Sequence, residues 1–134
     1  MNIRDLRIGN LVDYDNIKSC YVVVINSKCF QDTFDQGIII NTFPSLKEIN
    51  IKDAKPIPLT EEWLLDLGYK KRRKKSYYHP YTMGYELYNI TALDGGFKII
   101  AKRGTYILSK ELKYVHDLQN YHHGCVGTDL EFFQ

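Results

Sequence analysis

Short runs rich in β-branched residues, each closed by a turn signal, constrain the fold of this 134-residue chain more than any other feature. The run Cys20–Ile25 is too short and too branched to favour a helix. Ile38–Ile40 follows a glycine, and residues 46–52 alternate in part between apolar and polar side chains. We therefore predict that residues 1–59 form a β-rich lobe, either a small bent sheet or an SH3-like barrel.

The clearest local signal is a short central helix over residues 60–68. Thr60 is a good N-cap, and Glu61 and Glu62 complement the positive end of the helix dipole. Gly68 stands where a left-handed C-terminal cap is needed. A helix of about two turns is not stable alone, so we expect it to be held by packing of its apolar side chains. These side chains are Trp63, Leu64 and Leu67.

Residues 69–134 predict a β-meander followed by a C-terminal helix. Tyr85–Ile90 alternates in polarity, Asp94–Gly96 is a hairpin signal, and Phe97–Ala101 returns along a neighbouring strand. The final helix is predicted from about Lys110 to His123. Together these elements predict an α+β fold, and we expect all 134 residues to form a single domain.

Six consecutive cations, Lys70–Lys75, stand directly before a tyrosine-rich segment. Without them the rest of the chain would be slightly acidic, so the positive charge is concentrated here. Such a strip attracts phosphates, and neighbouring aromatic rings can stack on bases. The sequence therefore predicts a site for a phosphate-bearing ligand. Its predicted residues are Lys71, Arg72, Arg73 and Lys74 for charge, with Tyr77, Tyr78 and Tyr81 for stacking.

The same strip also has a purely structural explanation. Six like charges stay solvated and keep the edge of a hairpin from aggregating. If the segment is a strand, only alternate residues share a face, so at most three of the six could converge on one ligand. Arg72 and Arg73 are the strongest candidates, because a guanidinium can fork onto phosphate oxygens. Both explanations stay open at this point.

The sequence carries no motif that fixes a reaction. A glycine-rich phosphate loop, a Gly-x-Ser-x-Gly elbow and a His-Glu-x-x-His pair are all missing from it. The group His116, His122, His123 and Cys125 lacks the paired spacing of structural zinc sites. We predict no metal, no cofactor and no catalytic residue. A small hydrolase is the weakest alternative, with acid or base residues drawn from Asp13, Asp15, Asp32, Asp35, His79 and His116.

Cysteine number and hydropathy predict the compartment. Cys20, Cys29 and Cys125 are odd in number and lack metal-ligand spacing, which is typical of reduced thiols. Charges interrupt the N-terminal segment where a signal peptide needs an apolar core. No apolar run approaches the roughly 20 residues that span a bilayer. We expect a cytoplasmic protein with no membrane partner.

Three segments, in order along the chain, resemble a family of small uncharacterised proteins from phages, prophages and genomes of Bacteroidetes. They are Asp5–Val12, Lys55–Tyr69 and Lys113–Asn120. The second segment begins with the sequence Lys-Pro-Ile-Pro-Leu-Thr-Glu-Glu-Trp-Leu-Leu. After the last of them, Tyr121–His123 and Gly127–Leu130 depart from the usual Leu-Tyr-Phe and Gly-Glu-Glu-Leu of that family. The resemblance implies a phage or mobile-element origin and the cytoplasm of a host cell, and it carries no activity.

Small phage proteins often act by binding, so two functions stay open. The first is an accessory protein that holds a phosphate-bearing ligand. That ligand is either a nucleotide signal, sequestered in a closed pocket to evade host defence, or a nucleic acid lying in an open groove. The second is an inhibitor or adaptor that binds a host protein through exposed tyrosines and Phe132–Phe133. A homo-oligomer is compatible with either function.

Overall fold

The computed structural model describes residues 6–26, 37–42, 45–80, 87–127 and 130. Within these ranges the chain forms two five-stranded antiparallel sheets and two α-helices, which confirms the predicted β-rich α+β class. The chain divides into two compact units, Met1–Ile57 and Pro58–Gln134. That the whole chain acts as a single domain stays a prediction.

The first unit contains a curled sheet that forms half a barrel, so the predicted bent sheet is observed. Its strands are β1 (Leu11–Tyr14), β2 (Ile17–Asn26), β3 (Gly37–Asn41), β4 (Leu46–Asn50) and β5 (Ala54–Lys55). They lie in the order β4-β3-β2-β1-β5. Buried apolar side chains from these strands form the core, and they include Val12, Cys20, Val22, Ile38, Ile40 and Ile49.

The second unit contains the predicted meander. Its strands are β6 (Lys70–Arg73), β7 (Ser76–Tyr78), β8 (Leu87–Leu93), β9 (Gly96–Arg103) and β10 (Tyr106–Leu112), and they lie side by side in chain order. Helix α1 (Glu61–Asp66) precedes the sheet and α2 (Val115–Val126) follows it.

Local capping explains where both helices begin. The hydroxyl of Thr60 accepts a hydrogen bond from the Trp63 amide at 3.3 Å, which confirms the predicted N-cap of α1. Helix α2 begins at Val115, so its predicted start at Lys110 was wrong. Strand β10 is paired with β9 as far as Leu112, so the chain cannot become helical before that residue. Beyond it, the Asp117 carboxylate accepts a hydrogen bond from the Tyr114 amide at 3.0 Å and caps the helix.

Both helices contact the same face of the second sheet, which we call the helix face. The Tyr88 hydroxyl on β8 lies 2.8 Å from His122 Nδ1 on α2, and Lys71 Nζ on β6 lies 3.0 Å from Glu61 Oε1 on α1. The buried side chains of the sheet share this face, among them Tyr77, Tyr88, Ile90, Ile99 and Ala101. The alternate residues therefore lie on the opposite face, which we call the outer face.

We expect Gly68→Ala to destabilise the protein by more than about 1 kcal/mol. Gly68 has φ of +94°, and an added Cβ would lie 3.3 Å from Nε2 of His79. Urea unfolding measures the effect. Gly95→Ala is the matched control, because its φ of +83° brings the same backbone strain into open space. Equal losses in the two variants would contradict a contribution from the His79 contact.

Candidate functional site

The predicted basic strip forms a hairpin at one edge of the second sheet. Strand β6 and the turn residues Lys74 and Lys75 carry the six cations, and all six are exposed. Lys70 lies opposite Tyr78, Lys71 opposite Tyr77, and Arg73 opposite Ser76. The strip is thus a solvated sheet edge, and its side chains are accessible to a ligand.

A bulge in β6 changes which cations share a face. The register between β6 and β7 shifts between Lys71 and Arg73, so Arg72 is the extra residue. Its guanidinium carbon lies 4.6 Å from the centre of the Tyr78 ring, on the outer face. Because Arg73 lies opposite Ser76, it shares that face. Strict alternation would have separated the two arginines, and the bulge brings them together with Lys70.

Lys71 lies on the helix face instead. Its ammonium forms an ion pair with Glu61 at 3.0 Å, and both side chains are more than one-third exposed. Hydrogen bonds from Lys71, and then from Tyr77, lower the pKa of Glu61, and the same carboxylate raises the pKa of Lys71. The charge of Lys71 is therefore partly neutralised and faces away from the two arginines.

The two described tyrosines of the predicted site have different environments. Tyr77 is 2 % exposed, its ring packs edge-on against Phe97, and burial raises its pKa. This placement does not favour stacking on a base. Tyr78 is half-buried on the outer face beneath Arg72.

Six predicted candidates lie outside the described residues: Cys29, Asp32, Asp35, Tyr81, Phe132 and Phe133.

Sequence reasoning missed two cations on the outer face, Lys98 and Lys102 of β9. Lys98 lies opposite Thr91 and Lys102 opposite Leu87, and both lysines alternate with the buried Ile99 and Ala101. This alternation is visible in the sequence and could have identified them. Together with β6 they define a surface that we call the basic outer face. Its residues are Lys70, Arg72, Arg73, Tyr78, Lys98 and Lys102.

Polar side chains connect the two groups of cations across the sheet. The Ser76 hydroxyl donates to Asn89 Oδ1 at 2.6 Å, and Asn89 Nδ2 donates to the Thr91 hydroxyl at 3.2 Å. Strand spacing places β6 and β9 about 14 Å apart. An acid, Glu111, lies opposite Lys98 on β10. The basic outer face is thus broad, with exposed cations on β6, half-buried lysines on β9 and hydrogen-bonding groups between them.

Neither of two clefts in the second unit includes this surface. One cleft has a volume of about 70 Å³ and lies between the β8–β9 turn and the end of β10. That volume is small beside the several hundred Å³ that ligand pockets usually provide. The other cleft, on α1, has a volume of about 540 Å³, but it is shallow and is lined by the carboxylates Glu61 and Glu62. The small volume of the first cleft and the two carboxylates of the second make both poor sites for a nucleotide.

A cluster of four rings lies on the helix face: the buried Tyr69, Tyr88 and His122 and the half-buried His79. The hydroxyls of Tyr69 and Tyr88 are 2.9 Å apart, and both approach Nδ1 of His122, while the His79 ring lies 4.7 Å from the His122 ring. Burial, and then Tyr88, raises the pKa of Tyr69 well above its usual value. His122 and the two tyrosines are almost fully buried, and we interpret the cluster as structural.

Among the residues that the structure describes, no group of three His, Cys, Asp or Glu side chains could hold a metal ion. Cys20 is buried, Cys125 is half-buried, and both are free thiols. Within the same residues, no helix has the length and apolar character needed to cross a bilayer.

Comparisons of the chain with protein-family models, curated proteins and solved structures gave no match. The resemblance to the family from phages and Bacteroidetes stays a prediction. The geometry of the basic outer face is therefore the basis for a functional proposal.

We expect Tyr88→Phe to destabilise the protein by about 1–3 kcal/mol, because Tyr69 and His122 lose a buried hydrogen-bonding partner. Urea unfolding followed by circular dichroism measures this. Tyr106→Phe removes a hydroxyl from a residue that is 78 % exposed, and it should change stability by less than about 0.5 kcal/mol. If both variants unfold like the parent protein, the cluster does not hold α2 on the sheet.

Proposed function

We propose that this protein is a non-catalytic nucleic-acid-binding protein whose basic outer face contacts the phosphate backbone. The observation that supports this most directly is the bulge in β6, which places Arg72 and Arg73 side by side on an open face. Two adjacent guanidinium groups can each fork onto phosphate oxygens. Lys98 and Lys102 extend the positive charge to β9.

The spread of the charges favours an extended ligand over a small nucleotide. Five cations lie at opposite ends of a surface about 14 Å wide, and no wall encloses them among the described residues. A single nucleotide has too few phosphates to reach both ends, whereas a nucleic-acid strand that crosses the sheet contacts both. Sequestration of a nucleotide signal needs an enclosed pocket, so it is the less favoured form of phosphate binding here.

The side chains between the cations suit a single-stranded nucleic acid. Tyr78 offers an aromatic ring beside the arginines, although the Arg72 guanidinium covers one face of it. Asn89, Ser76 and Thr91 supply donors and acceptors at the middle of the surface. Backbone contact through cations with limited stacking predicts binding with little sequence preference and a strong dependence on salt. A role for a phage or mobile element in its host is compatible with this activity.

The double variant Arg72→Ala/Arg73→Ala should weaken binding of a labelled single-stranded oligonucleotide by about tenfold or more, as measured by fluorescence anisotropy. Each lost phosphate contact makes binding less dependent on salt. The slope of log affinity against log salt should therefore become less negative by about 1.4. Lys52→Ala/Lys55→Ala is the matched control, because it removes the same charge from exposed positions of the first unit.

The variant Lys98→Ala/Lys102→Ala tests whether the surface extends beyond the hairpin, and it should also weaken binding. Equal affinities for the control and both outer-face variants would contradict the proposal, as would a parent protein that binds no oligonucleotide. Displacement of the oligonucleotide by a free mononucleotide at equal phosphate concentration would favour a small nucleotide ligand instead.

A further inference from the structure

The two edges of the second sheet differ in how they are protected against pairing with other chains. The β6 edge carries four consecutive cations and a bulge, which are both devices that prevent edge-to-edge association. The β10 edge has neither over its first four residues, and it pairs with β9 in a regular register. Tyr106, Ile107 and Leu108 on this edge are 78 %, 66 % and 49 % exposed. Among the residues that the structure describes, the β6 edge is closed to a partner and the β10 edge is open from Tyr106 to Glu111. Beyond it the Lys113 carbonyl accepts a hydrogen bond from the Leu59 amide at 2.9 Å, so the open edge ends there.

We infer that β10 pairs in antiparallel fashion with β10 of a second copy of this chain, about a two-fold axis at Ser109. The two sheets would then form one continuous sheet across the dimer. Two-fold homodimers are the commonest oligomers, and such an interface must be complementary to itself. This requirement can be checked against the sequence of β10.

Backbone geometry supports pairing at this register. The two-residue turn at Gly104 and Thr105 connects Arg103 to its partner Tyr106, and Gly104 has φ of +62°, as the first position of such a turn needs. The pair next to a two-residue turn is hydrogen-bonded, so alternate residues from Ile107 point their amide and carbonyl groups to the free edge. With the axis at Ser109, Ile107 lies opposite Glu111 of the second copy, and both residues expose these groups.

Side-chain charges also favour this register. Opposite residues would be Ile107 with Glu111 and Leu108 with Lys110, so no like charges meet. The Lys110 stem would cover Leu108, and its ammonium would stay in water. A shift that moves the axis to Lys110 would place two ammonium groups against each other. A shift in the other direction, to Leu108, would shorten the ladder.

The dimer would place both basic outer faces on the same side of the continuous sheet, because a two-fold axis perpendicular to a sheet preserves its faces. The inference itself uses only β10 and does not rest on the proposed function. Its test can therefore be carried out without nucleic acid.

Sedimentation equilibrium over about a hundredfold range of protein concentration should show a reversible monomer–dimer equilibrium for the parent chain. Two variants at one exposed position test the register. Ile107→Glu would face Glu111 of the second copy, and Ile107→Lys would face the same carboxylate with the opposite charge. We expect the dimer dissociation constant of Ile107→Glu to be roughly tenfold higher than that of Ile107→Lys.

A cross-link provides a second readout. Ser109→Cys should form a disulfide-linked dimer under mild oxidation, because opposite residues at the axis lie within disulfide range. Lys55→Cys, exposed on the first unit, is the control and should not. A parent chain that stays monomeric at every concentration would overturn the inference and leave this edge to a different protein. Equal dissociation constants for the two Ile107 variants would overturn it as well.

Discussion

The contact between the Tyr88 hydroxyl and His122 Nδ1, 2.8 Å long and buried, determines which face of the second sheet is available to a ligand. It joins the middle strand of the meander to α2, and Tyr69, just after α1, joins the same cluster. Both helices are thereby held on the helix face. Such a polar contact is stable in a protein interior only when its groups are satisfied by one another. Five cations of β6 and β9 consequently lie on the face opposite the helices, namely Lys70, Arg72, Arg73, Lys98 and Lys102.

The same cations suit two physical roles that do not conflict, protection of a sheet edge and the contact with phosphates that we propose. Like charges at β6 and the bulge beside them protect the sheet edge from pairing with other chains. The bulge also places Arg73 on the face of Arg72 and Lys70, and this brings two guanidinium groups of the protective edge together on one face. Lys71 is the exception, since Glu61 holds it on the helix face. Edge protection explains why cations are present, and the bulge explains why two arginines converge.

The sequence predicted those features that depend on near neighbours along the chain. The strands, the Thr60 cap and the hairpin at Asp94 and Gly95 each have a local signature. The features it missed depend on register between strands. Nothing near Arg72 in sequence indicates a bulge, because a bulge exists only relative to the opposite strand. Likewise, β10 delays the start of α2 because its pairing with β9 continues through Leu112. Burial of Tyr77 follows from its place opposite Ile90, which local sequence does not reveal.

We propose that one face of the second sheet binds a nucleic-acid backbone. The most direct test of this proposal is an NMR titration. The isotopically labelled protein is titrated with a short single-stranded oligonucleotide, and heteronuclear spectra are recorded at two salt concentrations. We predict shift changes concentrated at Arg72, Arg73, Tyr78, Lys98 and Lys102, and we predict that they become smaller at the higher salt concentration. Changes confined to the first unit or to the acidic cleft on α1, or no changes at all, would contradict the claim.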